Sequence, residues 1–144
     1  MWWEGKTRLT KVDKNLSADG CVEVLQTELL PWANANFLPA GWKLVHDGDG
    51  THTARKTKQW IQEKRLDVPD QWPAHSPDLN IIENVWGRLK ERLGYLDIRT
   101  MDELWRQAQR VWREIAIEEI RNCIRSMPRR LKAVRDAQGG HTNY

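Results

Sequence analysis

Residues 42–86 read WKLVHDGDGTHTARKTKQWIQEKRLDVPDQWPAHSPDLNIIENVW. The stretch opens on an apolar run, Trp42, Leu44 and Val45, bounded downstream by Asp47, Gly48, Asp49 and Gly50. An apolar run followed by glycines and aspartates predicts a strand that ends at Asp47 and opens into a loop. From Thr53 to Arg65 the period becomes helical, with Ala54, Thr57 and Ile61 on one face and Lys56, Gln59 and Glu63 elsewhere. Leu66 to Val68 reads as a second extended piece. A link with Pro69, Pro73 and Pro77 follows, and then a helix carrying Ile82, Glu83, Val85, Trp86 and Leu89. The pattern puts two carboxylates at a strand tip and places Glu83 on a helix that can return toward it.

Carboxylates from separate elements, with no cysteine beside them, favour a hard cation with oxygen ligands such as Mg2+ or Mn2+ over zinc. Two such ions about 3.5 to 4 Å apart can activate a water or hydroxyl and stabilise the leaving oxygen of a phosphodiester. The plain alternative is solvated turn chemistry, since Asp and Gly populate turns for local backbone reasons.

The string DGDGTHTA at 47–54, followed at a distance by WPAHSPDLNIIENVWGRLK at 72–90, resembles the catalytic core of the DDE transposases of the Tc/mariner superfamily. The downstream match is dense, taking in Trp72, Pro73, Ala74, Ser76, Pro77, Asp78, Leu79, Asn80, Ile82, Glu83, Asn84 and Trp86. The resemblance implies an α/β, RNase H-like fold with a helical C-terminal part. It also implies a magnesium or manganese cofactor and metal-dependent cutting and joining of transposon DNA. Carried over by motif position, Asp47 is the second catalytic aspartate and Glu83 the catalytic glutamate, both metal ligands. His52, Asp49 and Asn84 support them, His52 from the substrate side. DNA is the implied partner, the nucleus the implied location, and a homodimer is allowed.

Three departures bear on that expectation. Gly48 and Gly50 replace the family's Asn and Pro, which predicts a looser metal-site loop. Thirty-five residues separate Asp47 from Glu83, one more than the common spacing, with the extra residue near Gln71. The family's first catalytic aspartate belongs on a strand upstream of Met1. The expectation is therefore an N-terminally truncated domain, complete at its C-terminal end, with weakened catalysis and without the helix-turn-helix modules that recognise transposon ends in relatives.

The 144 residues, 40% hydrophobic, are one domain's worth. The expected division is strands and a covering helix over 1–50, catalytic motifs over 51–95 and helices over 96–144. No apolar run approaches the ~18 residues a membrane span needs, so no membrane is expected. Cys21 and Cys123 lack any Cys-x-x-Cys spacing, which argues against structural zinc or a disulfide framework. Met1 to Asn15, with Gly5 at a turn, reads as one or two short strands. Ser17 reads as the cap of a helix over Ala18, Cys21, Val22, Leu25 and Leu29 that ends near Pro31, with a surface loop to Gly41. Thr100 opens a further helix through Leu104, Ala108, Val111, Trp112 and Ile115. Ile117 to Ser126 follows, and Pro128 starts a last helix from Arg129 to Ala137.

Charge is unevenly spread. Residues 1–87 hold 10 Lys or Arg against 12 Asp or Glu, and residues 88–144 hold 13 against 8. A metal site beside a basic surface suits a phosphodiester substrate. Arg88, Lys90, Arg92, Arg129 and Arg130 are the candidate DNA contacts. Used without a metal, the same helices give the alternative reading of a non-catalytic DNA-binding or interaction remnant. His46 and His75 read as ordinary polar residues. Glu83 has two readings. Asn-x-x-Glu from Asn80 is a capping-box spacing that would tie Glu83 to its own helix start. A helix starting at Ser76-Pro77 would instead put it in the second turn, free for a metal, and that is the expectation we take forward.

Overall fold

The computed structural model describes residues 1–12, 16–37, 41–69, 76–138, 140 and 142. Asn15, Pro39, Gln71, the Trp72 to His75 part of the motif and Gly139 lie outside the described residues. The chain divides into two compact units, Thr10–His75 and Met1–Leu9 with Ser76–Tyr144.

In the first unit, α1 (Ala18–Val24) starts where expected, with Ser17 Oγ accepting the Gly20 N–H at 3.1 Å. It does not end at Pro31. A π-helical turn, Leu25–Leu29, widens the helix so that the Leu30 N–H reaches the Leu25 carbonyl, and α2 (Leu30–Asn36) continues. Proline has no N–H to give an interior turn, and the wide turn puts Pro31 at the start of a new segment, where none is needed. The loop expected from Pro31 therefore begins only after Asn36.

The single helix expected from Thr53 is two, α3 (Gly50–Thr53) and α4 (Arg55–Glu63), broken at the extended Ala54. The inner side of α4 buries Thr57, Trp60 and Ile61, and among the described residues of this unit Cys21 and Ala33 are also buried. Trp60, absent from the predicted stripe, donates its Nε1–H to Gln26 Oε1 at 3.3 Å.

The strands predicted at Met1–Asn15, Trp42–Asp47 and Leu66–Val68 do not form a ladder among the described residues. A single backbone bond joins the last two, Leu44 N–H to Asp67 O at 2.7 Å, with the Lys43–Asp67 ion pair beside it. One isolated bridge closes the Trp2–Gly5 turn. Two extended segments alone are marginal; a stable sheet needs further strands or a packed face. Val45, 42% exposed, has no such face.

In the second unit the helices are α5 (Ile81–Gly94), α6 (Met101–Glu114), α7 (Ile117–Arg125) and α8 (Met127–Asp136). Apolar residues at helical spacing bring Val85, Leu89, Val111, Trp112, Ile115 and Ile120 into one core, with Trp86 and Trp112 rings 5.3 Å apart. Thr100 caps α6 by accepting the Glu103 N–H at 3.1 Å, while Glu103 reaches one residue further back, to the Arg99 N–H. The N-terminal segment is held from outside. Trp112 Nε1–H donates to Thr7 O at 2.9 Å, and Lys6 Nζ donates to Ile115 O, beyond the end of α6, at 2.7 Å. Among the described residues no helix is long and apolar enough to cross a membrane.

Candidate active site

Asp47 follows the extended Trp42–Val45 run and leaves its side chain about half exposed, at 54%. Its Oδ1 takes two bonds, from the ring Nδ1 of His52 at 2.6 Å and from the Asp49 N–H at 3.2 Å. A carboxylate only accepts, so His52 presents Nδ1–H to Asp47 and turns Nε2 away from it. His46 packs beside the same pair, its ring tilted and 5.3 Å from that of His52 and its Nδ1 2.8 Å from the Asp47 carbonyl oxygen. His46 thus helps build the loop, which its reading as an ordinary polar residue did not anticipate.

Asp49 caps α3. Its Oδ1 accepts the Thr51 N–H at 2.8 Å and the Thr51 Oγ1–H at 2.6 Å, and these bonds hold its carboxyl below the usual range. Thr53 Oγ1–H donates to the Asp49 carbonyl at 3.1 Å. Below the loop, fully buried Thr57 donates to the Thr51 carbonyl at 2.6 Å. Burial pushes the neighbouring Cys21 thiol up, against a hydrogen bond with Thr57 that pulls it down. The two glycines therefore leave a loop pinned by side chains, contrary to the looser one expected.

Glu83 starts from a different local structure. The helix begins at Asn80, which corrects the Ser76-Pro77 start. Asn80 Oδ1 accepts the Ile82 N–H at 3.4 Å, and residues 76–80 form the turn before it. That turn supplies the carbonyls of Ser76 and Pro77 to the Asn80 N–H, at 3.1 and 3.2 Å. The capping box therefore has nothing left for Glu83 to accept, and its exposed carboxylate makes no hydrogen bond or ion pair among the described residues. Asn84 lines a cleft of about 260 Å³ with Arg88, Asn122, Cys123, Ser126 and Arg130, and its buried Oδ1 has no hydrogen-bond partner among the described residues.

The five predicted DNA contacts separate. Arg88 and Arg92 both bond Glu119, at 2.8 and 2.9 Å. Arg130 is 3% exposed, donating to Ser126 Oγ and to the Asp78 carbonyl, both at 2.7 Å. Its buried guanidinium braces the turn before α5, which corrects its assignment to a DNA-facing surface. Lys90 and Arg129 are exposed and without a partner among the described residues. Glu119, which the sequence did not single out, carries a carboxyl that burial pushes up. The Ala116 N–H and the Arg92 and Arg88 guanidiniums outweigh burial and bring it below the usual range.

Among the described residues no three His, Cys, Asp or Glu side chains gather as a metal site. Asp47 and Glu83 lie in different units, and each is placed by its own local structure. The profile of the family described as DDE superfamily endonuclease matches residues 2–105. The chain belongs to that family.

Among curated relatives of this DDE chain, the transposable element Tc1 transposase of Caenorhabditis elegans is 37% identical over 121 residues, 84% of this chain and 44% of the relative. The Tcb1 transposase of Caenorhabditis briggsae is 35% identical over 122 residues, 85% of this chain and 44% of the relative. The chain thus spans less than half the length of these relatives. Among solved structures, the catalytic domain of the Mos1 mariner transposase matches with a TM-score of 0.72 at 14% identity, covering 92% of this chain and 67% of that one. This likeness concerns the fold, which is RNase H-like in that neighbour. Structures of the Mos1 domain hold raltegravir with Mg or with Mn.

Proposed function

We propose that this chain provides Asp47 and Glu83 to the divalent-metal centre of a cut-and-paste DNA transposase. In this reading it acts on chromosomal DNA in the nucleus. The observation that carries it is the state of Glu83. An exposed carboxylate at the opening turn of α5 is left without a partner while every capping bond around it is made by other groups. A carboxylate in the first turn also suits the helix dipole, and it is the motif position together with the unpaired oxygens that singles out Glu83.

The donor set fits Mg2+ or Mn2+. Two carboxylates with no thiolate beside them are oxygen ligands for a hard cation, and Asp47 Oδ2 has no partner among the described residues. Such an ion, when bound, supplies Lewis-acid stabilisation of the phosphodiester and a more acidic attacking water or hydroxyl. The protein's own contribution is positional. The Asp47–His52 bond fixes the carboxylate plane and leaves His52 Nε2 turned outward, where it can accept a hydrogen bond from a water or a DNA hydroxyl. Asp49, by capping α3, keeps Asp47 at the tip of the loop. Asn84 offers an amide one residue beyond Glu83. Lys90 and Arg129, with the partly neutralised Arg88 and Arg92, take phosphates further along the duplex.

Titrating Mn2+ into the protein by calorimetry tests this. Binding by the parent chain and its loss in both Asp47→Asn and Glu83→Gln is expected. Equal heats in all three proteins would leave only shared ancestry.

A further inference from the structure

We propose that the exposed face of α4, formed by Arg55, Lys58, Gln59 and Gln62, is a sequence-independent docking surface for the backbone of duplex DNA. The inference rests on the reading above for its choice of DNA, and its evidence lies in the helix itself.

At 100° per residue, buried Thr57, Trp60 and Ile61 define the inner side of α4, and Arg55, Lys58, Gln59 and Gln62 occupy the opposite one. All four are exposed, and none has a side-chain partner among the described residues. The face carries two cations and two amides, all able to donate to phosphate oxygens, and one carboxylate, Glu63, at its C-terminal margin. Asp19 is occupied by Lys56.

The placement of the cations has no explanation in helix stability. Arg55, Lys56 and Lys58 crowd the first turn, which holds no acidic residue, and Ala54 supplies no side-chain cap. Cations at a helix N-terminus oppose its dipole; Lys56 is compensated by Asp19, whereas Arg55 and Lys58 have no such partner among the described residues. An anionic partner reverses the sign of this term. Phosphates aligned along one helical face fit both the charge and the amides. The loop holding Asp47 and His52 runs directly into Arg55, so DNA on this face would lie beside that loop.

The unpaired cations of the other unit make a weaker case. Lys90, Arg106, Arg113, Arg129 and Arg135 are exposed, but they are spread over three helices and not gathered on one turn. Arg106 and Arg113, which have no DNA contact in the reading above, serve as the comparison.

The test measures fluorescence anisotropy of a random-sequence duplex with the whole 144-residue chain, in EDTA, across 50 to 200 mM salt. Working without metal separates this proposal from the Asp47–Glu83 reading, which the Mn2+ titration settles independently. Each phosphate contact contributes about 0.9 to the slope of log affinity against log salt, so Arg55→Gln with Lys58→Gln is expected to flatten it by about 1.8. The same double variant is expected to melt at an equal or higher temperature, because it removes two cations that oppose the dipole. Arg55→Lys with Lys58→Arg, which keeps both charges and the helix, is expected to retain the slope. Four results would overturn the proposal. These are no DNA binding by the parent, an unchanged slope in the neutralised variant, loss of slope in the charge-conserving one, or an equal fall in slope in Arg106→Gln with Arg113→Gln. An RNA duplex bound with equal affinity and slope would overturn the assignment to DNA.

Discussion

Residues 45–58 and residues 118–130 both mix carboxylates with cations, and they put them to different use. In the first region the bonds are short in sequence. Asp47 is held by His52 and the Asp49 amide, Asp49 by Thr51, and Arg55 and Lys58 stay unpaired among the described residues. In the second, bonds cross between elements. Glu119 gathers Arg88 and Arg92 from another helix and Arg130 braces the Asp78 turn, while Glu118 pairs with Arg121 and Arg125 within α7. A richer arginine count therefore marks scaffold here, and the proposed metal ligand Asp47 sits where charge is held locally and left open to solvent.

The largest expected effect falls on the scaffold side. Trp112→Ala removes a 5% exposed ring that packs on Trp86 and holds Thr7, and is expected to cost about 3–5 kcal/mol in a urea melt. A loss under 1 kcal/mol would mean that this core is not the unit's main source of stability.

Arg130→Met is expected to cost about 2–3 kcal/mol, since it strips charged hydrogen bonds from a buried hydroxyl and carbonyl. The salt dependence of DNA binding should stay as in the parent. A flatter slope in a folded Arg130→Met protein would return this arginine to the DNA surface.

Glu119→Gln sharpens the contrast at about 1–2 kcal/mol. The folded carboxyl sits below its unfolded value of about 4.3. The folded state therefore holds that proton less tightly than the unfolded one. Its stabilisation is present above about pH 4.3 and is lost as pH falls through the lower folded value. Melts between pH 3 and 7 should show a shallower acid limb in the variant, and parallel curves would remove Glu119 from the account.

The smallest effect is expected in the loop. Asp49→Ala should speed exchange of the Thr51 amide, with Asp49→Asn recovering most of the protection. Unchanged exchange in the alanine variant would mean that the cap does not hold the loop.

The helices were legible because their signals are local. Ser17, Asn80 and Thr100 are capping residues at sequence distances of two or three, and the α6 stripe repeats with the helical period. The start at Ser76 was misjudged because proline favours a first helical position and a tight turn equally well, and only the Asn80 bonds decide between them. Pro31 misled for the opposite reason, since a π turn leaves no mark in composition. The sheet depends on pairing across distant residues, which alternation along one segment cannot specify, and one Leu44–Asp67 bond is what these segments make. The roles of Arg88, Arg92 and Arg130 were hidden because Glu119 and Asp78 are remote in sequence. The cations of α4 did leave a signal, a basic first turn set against the helix dipole.

The claim that Asp47 and Glu83 serve one ion is tested most directly by paramagnetic broadening in the assigned NMR spectrum of the whole chain with substoichiometric Mn2+. The account predicts that the amides of residues 47–52 and of residues 81–84 broaden together, and that Asp47→Asn abolishes both effects. Broadening confined to one of the two segments, or persisting at 81–84 in Asp47→Asn, would contradict it.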